Sequence, residues 1–447
     1  MQFLSTLPSR HPLRNNAGFR RLFFASAFSL TGDWFAFVAL NGFVYHRTGS
    51  PGWTALLFAV NSLPGVLLLP VLGPLTDRLD RRRLRVACDV GALLPVVGLF
   101  GAFHTGSVAL AMCSLAGLSV CGVLAGPIPE AALPNLVPPE QLSSAQAALG
   151  SLYSAGLLVG AGLGGVVTAA WGPSATLAVD GASFLVSAAL IASIRASFSA
   201  VVPTPTTATA SISTPAAVPA RPVPARARLR PWGDMSELWR FVRSTPIVAA
   251  LLWLTVGLRL CYGMVGLLPV YALGRFHAAA GGVGALYLAQ GAGAVLGPLI
   301  GRRIVQDSPR RRLTVAGGAL AVFGLGYLAL AQSGRLGTGM AAALVGHIGV
   351  GACAVLAING LQLATPDAIR GRVMVLAFGL TAACQGVSSL AVAPLTQALG
   401  PATVTRLLGL LALVCSVTWT VRTTRNRAIG IIAIPATTDQ VGRDSST

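Results

Sequence analysis

The sequence predicts an all-α integral membrane protein whose twelve transmembrane helices form two pseudo-symmetric bundles of six. Only 10% of its 447 residues are charged and 54% are hydrophobic, with a mean hydropathy of +0.72. A soluble domain carries about 25% charged residues, so this chain could not cover its surface in water. Apolar stretches of about twenty residues, the length that crosses a bilayer as a helix, recur twelve times. The second six also repeat motifs of the first six.

The apolar stretches define the spans and leave one long break after the sixth. The predicted spans are residues 20–46, 53–74, 84–104, 107–128, 145–170, 174–194, 246–273, 281–301, 312–332, 338–359, 373–397 and 402–421. The predicted domains are an N-terminal six-helix bundle at 1–194, a linker at 195–245, a C-terminal six-helix bundle at 246–421 and a flexible tail at 422–447.

The linker differs in composition from the bundles. Its tract PTPTTATASISTPAAVPARPVPARARLRP has few large apolar groups, so it cannot build a core of its own. The following segment DMSELWRFVR predicts a short amphipathic helix, with Asp234 and Glu237 at the spacing of a capping box. We expect this helix to lie on the membrane surface and lead into the seventh span.

Positive charge is distributed unevenly between the two sides of the predicted bundle. All 32 basic residues are arginine and the net charge is +19. If the first span enters from the cytoplasm, 27 arginines lie on the cytoplasmic side. The others are Arg47, Arg275, Arg335 and Arg406 outside and Arg259 within a span. This positive-inside bias predicts a multi-pass protein of the inner (plasma) membrane with the linker and both termini in the cytoplasm.

Several motifs of the first six spans return in the second six. GPLTDRLDRRRL, from residue 73, returns as GPLIGRRIVQDSPRRRL from residue 297, and the VY pair at 44–45 returns at 270–271. LVPPEQLSSA after span four has a counterpart in LATPDAIRGR after span ten. Internal repeats of this kind, with a substrate site near the midplane between them, are typical of secondary transporters.

Six plus six spans with the GxLxDRxxRRR loop after the second resemble the major facilitator superfamily over nearly the whole chain. TGDW in span one, LVPPEQLSSAQAALGSLYS at span five, DGASFLVSA in span six and RGRVM resemble its bacterial enterobactin-exporter-like and macrolide-efflux-like permeases. The resemblance implies alternating access and export of drugs or siderophores.

The charged loop after span two has two interpretations. Its motif residues are Gly73, Asp77, Arg78, Arg81 and Arg82. The resemblance implies a cytoplasmic gate, in which charge contacts of Asp77 and Arg81 hold the halves together when the cavity faces outward. The alternative is that these arginines only fix the topology. Asp80 stands where the family usually has glycine, which predicts a differently shaped turn.

A glycine-rich stretch in span five also has two interpretations. Gly156, Gly160, Gly164 and Gly165 resemble the antiporter motif GxxxGPxxGG of the family's exporters, with Ala161 in place of proline. The alternative is close helix packing, which small residues at four-residue spacing allow. The motif favours export over uptake.

Two charges lie within the predicted membrane core. Asp33 in span one and Arg259 in span seven are 226 residues apart, as are the two VY pairs, so they occupy equivalent positions in the repeats. Charges buried in a bilayer usually face a cavity and serve function. Our hypothesis is that Asp33 couples proton movement to transport and that Arg259 alternates between Asp33 and a polar or anionic part of the substrate. The alternative is a static ion pair between the halves.

Other polar residues are candidates of lower rank. The resemblance places Asn61, Tyr262, Tyr287, Gln290 and Gln385 in spans that line the cavity, as substrate contacts or as helix-packing hydrogen bonds. We expect Asp89 and Glu130 to be gate partners, Asp180 to be a helix-end residue near the outer face, and His347 to be a packing residue.

The leading functional prediction is a proton-coupled exporter (antiporter) of small amphipathic molecules. The alternatives are proton-coupled uptake and a non-transporting receptor or scaffold. A chain without lysine has no Walker A lysine, and the sequence shows no hydrolase motif or metal-ligand spacing, so we predict no enzyme activity and no cofactor beyond the proton gradient. The predicted partners are the small-molecule substrate and the lipid bilayer. We expect no nucleic-acid partner, and we expect the protein to be a monomer.

Overall fold

The computed structural model describes residues 12–68, 79–195, 198, 231–305 and 309–425, and these are almost entirely helical. The spans are α1 Ala17–Thr48, α2 Pro51–Leu67, α3 Arg81–Thr105, α4 Val108–Leu136, α5 142–171, α6 173–192, α7 Pro246–Arg275, α8 Ala279–Val305, α9 Pro309–Gln332, α10 Leu336–Ala364, α11 Asp367–Leu399 and α12 Pro401–Arg425. An additional helix, Pro231–Ser244, precedes α7, where the amphipathic helix was predicted.

These helices confirm the predicted fold class. Within the described residues, ten helices are long and apolar enough to cross a membrane. One of them is a 49-residue helix, Ser144–Ala192, that bends at Gly172 into α5 and α6. The remaining predicted span begins as α2, and its predicted end, from residue 69 on, lies outside the described residues.

The bend between α5 and α6 follows from a Gly-Pro pair. Gly172 has φ 80° and ψ 170°, a left-handed conformation that side chains other than glycine rarely adopt. Pro173 lacks the backbone N–H that would continue the α5 hydrogen-bond pattern. The chain therefore turns back at the place the sequence predicts.

The fourth span is longer than predicted. A turn at Gly126 and Pro127, both with helical dihedral angles, divides it, and the second segment, Ile128–Leu136, continues eight residues past the expected end at 128. Its Ile128 and Leu133 are fully buried in an apolar cluster with Phe19 of α1. The polar residues after 128 masked this apolar face in the sequence.

The seventh span is not a continuous α-helix. Pro246–Cys261 is α-helical, Tyr262–Leu267 is 3₁₀, and Tyr271–Arg275 forms a wider π turn. The 3₁₀ segment lies where two other helices approach its glycines. The Gly263 N–H donates to Ser388 Oγ of α11 at 3.0 Å, and Gly266 lies against the Phe58 ring of α2. Each residue turns the chain by about 120° around the axis of a 3₁₀-helix, compared with about 100° in an α-helix. Over these six residues the difference adds up to roughly 120°, by which the part of α7 after the segment is rotated relative to a regular helix.

The two halves pack against each other from mid-height to one end of the bundle. We call this end arginine-poor, because the opposite end, where α1 begins and α2 ends, carries Arg20, Arg21 and the arginines that open α3. Near the arginine-poor end, Gly274 of α7 lies against the Tyr45 hydroxyl of α1. Closer to the middle, Gly165 of α5 and Gly284 of α8 meet backbone to backbone. These contacts close the space between the halves at the arginine-poor end.

Candidate functional site

A central cavity of about 320 Å³ lies between the halves. Its wall is largely apolar and aromatic, with Trp34, Phe37 and Phe58 from the N-terminal half and Tyr262 from the C-terminal half. The polar residues in the wall are Asp33, Asn61, Ser119, Gln290 and Gln385. The structure therefore brings together four of the five predicted substrate contacts, together with Asp33.

The fifth predicted contact, Tyr287, lies behind the wall. It is fully buried, and its ring centroid is 5.6 Å from that of Trp34 and 6.2 Å from that of Phe37. Tyr287 thus supports the aromatic wall from α8 and joins the two halves at mid-height.

Asp33 borders two cavities. Besides the central cavity it lines a second one, also of about 320 Å³, inside the N-terminal half. We call this second space the N-half cavity, and its polar lining residues are Ser26, Ser29, Asp33, Arg85, Asp89 and Glu130. The Asp33 side chain consequently stands between a mostly apolar space shared by both halves and a charged space within one half.

A buried ion pair lies in the N-half cavity wall. Arg85 Nε donates to Asp89 Oδ2 at 3.2 Å, and Ser187 Oγ of α6 donates to the same oxygen at 2.7 Å. The Arg85 and Asp89 side chains are only 6% and 2% exposed. In this structure the Asp89 carboxylate is paired with its own helix and with α6, and its role at the gate stays a prediction. Glu130 lines the same cavity.

Arg259 is held within the C-terminal half. Its Nη1 donates to Gln385 Oε1 at 3.0 Å, and its guanidinium carbon lies 5.2 Å from the centre of the Tyr262 ring. Arg259 Nε is buried without a hydrogen-bond partner, and between the described side chains of Arg259 and Asp33 there is no ion pair. The 3₁₀ segment explains why the two charges do not pair. The alignment of the repeats through the VY pairs assumed a regular helix between Arg259 and Val270, and the 3₁₀ segment interrupts that helix.

The glycine stretch packs α5 against α1 on either side of Asp33. A Cβ on Gly160 would lie 2.7 Å from the carbonyl oxygen of Thr31 and 2.9 Å from Trp34 Cβ. Gly156 and Gly164, one turn before and after, meet Leu30 and Phe35 in the same way. Gly165 instead contacts Gly284 of the other half. All four glycines therefore lie at close helix contacts, and the first three lie beside the α1 backbone around Asp33.

Gly160→Ala is expected to destabilise the protein by about 1–3 kcal/mol, because the added methyl group has no space between α1 and α5. The matched control is Gly150→Ala on the same helix, where nothing lies within 4 Å of the added carbon. The measurement is the thermal unfolding midpoint in detergent. Equal midpoints for the two variants would show that the α1–α5 contact is not close.

The described part of the charged loop contacts its own half. Gly73, Asp77 and Arg78 lie outside the described residues. Arg81 Nη1 donates to the Ala131 carbonyl of α4 at 2.9 Å, and Arg82 donates to the Ala192 carbonyl of α6. Asp80 caps α3 by accepting the Arg83 N–H at 2.8 Å, which gives the departure from the family's glycine a structural role.

Two residues of lower rank have well-defined places. His347 of α10 is buried, with its Nδ1 3.1 Å from the Ala343 carbonyl and its ring among those of Tyr262, Phe323 and Tyr327, as expected of a packing residue. Asp180 does not lie at the helix end. It is two turns inside α6 and fully buried against α1. The sequence feature that indicates this burial is the position of the aspartate within the apolar run AVDGASFLVSA.

The sequence also matches a family model across most of the chain. The description of that model is Major Facilitator Superfamily, and the match covers residues 22–393. The chain belongs to the Major Facilitator Superfamily. This agrees with the two six-helix halves and the cavity between them.

Relatives within the superfamily include transporters of the efflux type. The chain is 31% identical over 182 residues to the uncharacterized MFS-type transporter YkuC of Bacillus subtilis, over 40% of this chain and 42% of that protein. It is 24% identical over 163 residues to macrolide efflux protein A of Streptococcus pyogenes, over 35% and 40% of the two chains. It is 25% identical over 181 residues to the multidrug efflux pump Tap of Mycobacterium tuberculosis, over 39% and 43%. The matches span about two fifths of each relative's length.

Solved structures of the superfamily fold match nearly the whole chain. The crystal structure of the peptide transporter POT in complex with sulfate has a TM-score of 0.68 over 96% of this chain and 98% of that one, at 14% identity. A POT family transporter in complex with 5-aminolevulinic acid gives 0.65 over 94% and 99%, at 12% identity. At these identities the likeness concerns the fold alone.

Proposed function

We propose that this superfamily member is a proton-coupled exporter of small amphipathic molecules, in which Asp33 carries the coupling proton. The observation that carries the proposal is the position of Asp33 between the central cavity and the N-half cavity. A carboxyl group at this position exchanges protons with the polar N-half cavity. Whether it holds a proton depends on the ligand that fills the central cavity.

The lining of the central cavity suits an amphipathic ligand. Trp34, Phe37 and Phe58 offer aromatic surface, while Asn61 and Gln385 offer amide groups. Asp33 supplies one negative charge when ionised, which favours a ligand with a basic amine. Two relatives are named a macrolide efflux protein and a multidrug efflux pump. These names support drugs as the substrate class and export as the direction. Catecholate siderophores are a further candidate substrate class, and they are supported only by the resemblance to enterobactin-exporter-like permeases.

The geometry supports one half of an alternating-access cycle. The halves are in contact at the arginine-poor end, which the positive-inside rule places outside the cell. Substrate then enters the central cavity from the cytoplasm and displaces the proton from Asp33. After the halves rock about this site, a proton from outside returns to Asp33 and weakens substrate binding. In that second state the loop residues Asp77 and Arg81 are proposed to hold the cytoplasmic end closed.

Proton-coupled uptake is the second candidate. Ala161 replaces the proline of the antiporter motif, and the same cavity would serve a cycle in which proton and substrate travel together. Both cycles take place in the inner membrane, with both termini in the cytoplasm, and neither requires a cofactor beyond the proton gradient or a second copy of the chain.

The direction of transport is tested with radiolabelled erythromycin in everted and right-side-out membrane vesicles. Export predicts that everted vesicles with an acidic lumen accumulate the label and lose it when a protonophore is added. Uptake predicts accumulation in right-side-out vesicles placed in acidic medium. A panel of macrolides, other amphipathic drugs and a catecholate siderophore then defines the substrate class. Absence of transport throughout the panel by folded protein contradicts the proposal.

A further inference from the structure

Asp180 is a buried acidic residue that the proposed cycle does not use. Its side chain is fully buried, and neither carboxylate oxygen has a hydrogen-bond partner among the described residues. The nearby hydroxyl of Ser183 does not serve it, because Ser183 Oγ donates to the Asp180 backbone carbonyl at 2.7 Å. An ionised carboxylate that is buried in the membrane without hydrogen bonds has a high free energy. The carboxyl group of Asp180 therefore requires either a proton or a partner that binds it.

The carboxyl group of Asp180 is directed at α1 beside Asp33. Asp180 Oδ1 lies 2.8 Å from the position that a Cβ on Gly32 would take, and Gly32 directly precedes Asp33. A side chain at residue 32 would occupy this space, so the glycine allows the carboxyl group of Asp180 to approach the α1 backbone. Asp180 is not among the residues that line the central cavity or the N-half cavity. Asp33, one residue along α1 from this contact, lines both.

The charges around Asp180 come from two other helices. α1 contributes Asp33, and α3 contributes Arg85 and Asp89. Arg85 is already bonded to Asp89 and Ser187, and Ser187 lies seven residues from Asp180 along α6, a distance of roughly 10 Å. The nearby cation is therefore engaged elsewhere. Two neighbouring carboxyl groups without a cation of their own cannot both ionise readily, so they share at least one proton.

We propose that Asp180 is a second proton-binding residue, coupled to Asp33 across the contact between α1 and α6. The inference rests on the proposed role of Asp33 and extends the coupling site from one aspartate to a pair. When substrate displaces the proton from Asp33, the protonated Asp180 donates its O–H to the Asp33 carboxylate. The carboxylate then remains hydrogen-bonded inside the membrane while the halves move.

The test is an infrared pH titration of the purified protein in lipid nanodiscs, following the carbonyl band of protonated carboxylic acids. Subtracting the titration of the double variant Asp33→Asn, Asp180→Asn removes the signal of the other carboxyl groups. Wild type is expected to titrate in two steps that belong to the pair, and each single variant in one. The control Ser183→Ala, which changes the same α1–α6 contact without a titratable group, is expected to keep both steps.

A single step in wild type that is unchanged in Asp180→Asn would overturn the proposal. If Asp180→Asn fails to fold, the difference between wild type and Asp33→Asn decides instead, because removing Asp33 alone must also shift the step of a carboxyl group coupled to it. The readout needs no substrate, so it is independent of the vesicle experiments. Export with a one-step titration refutes the pair alone, whereas a two-step titration without transport refutes the proposed function alone.

Discussion

Asp33→Asn is expected to abolish proton-driven transport while substrate exchange continues. Asparagine has nearly the same size as aspartate and fills the wall between the two cavities, but it cannot release a proton. Gradient-driven accumulation of labelled erythromycin in everted vesicles should fall to the level of vesicles without the protein. Exchange of labelled for unlabelled erythromycin without a gradient should remain, which shows that the variant is folded and binds substrate.

The matched control is Asp80→Asn. Asp80 is exposed and caps α3, and asparagine is an equally good N-cap, so this variant should transport as wild type does. Full proton-driven accumulation by Asp33→Asn would show that the coupling proton is carried elsewhere. Loss of both accumulation and exchange would give Asp33 a role in binding or folding.

Asp89→Leu is expected to destabilise the protein by about 3–5 kcal/mol, because it leaves the Arg85 guanidinium buried without its counter-charge. Ser187 loses its acceptor in the same variant. The thermal unfolding midpoint in detergent measures the effect. The change lies in the α3–α6 contact, so an effect of this size would show that the ion pair is dry and structural.

The double variant Arg85→Met, Asp89→Leu is the control for this effect. It removes both charges and keeps apolar volume, and replacement of a whole buried ion pair is often neutral. We therefore expect it to regain most of the lost stability. If Asp89→Leu is as stable as wild type, Arg85 has water or another partner in the N-half cavity.

Much of the fold was predictable because its signals are local. Apolar runs of membrane-spanning length define the helices, and a Gly-Pro pair at 172–173 ends α5 where the sequence indicates. The amphipathic helix before α7 was predicted from the segment DMSELWRFVR, but it begins at Pro231, so Asp234 lies inside the helix and not at the start that a capping box requires. Asp33 and four of the five predicted contacts do share one cavity. For the helices and the bend, the pattern and the structural element occupy the same few residues. The residues that share the cavity come from five helices, and their convergence was predicted from the family resemblance.

The remainder depended on contacts between distant segments. The expected pairing of Asp33 with Arg259 assumed equal helical geometry in the two repeats, and the 3₁₀ segment Tyr262–Leu267 breaks that equality. Ser388 and Phe58 pack against α7 at this segment, and no local pattern in the sequence reports these contacts. The depth of Asp180 likewise depends on the Gly32 contact with α1.

Proton movement on addition of substrate tests the central claim most directly. Everted vesicles with an acidic lumen and a pH-sensitive dye inside receive erythromycin, and lumen pH and label uptake are followed together. The account predicts that the lumen loses protons as the label enters, in wild type and not in Asp33→Asn. Entry of the label with an unchanged proton gradient would contradict it.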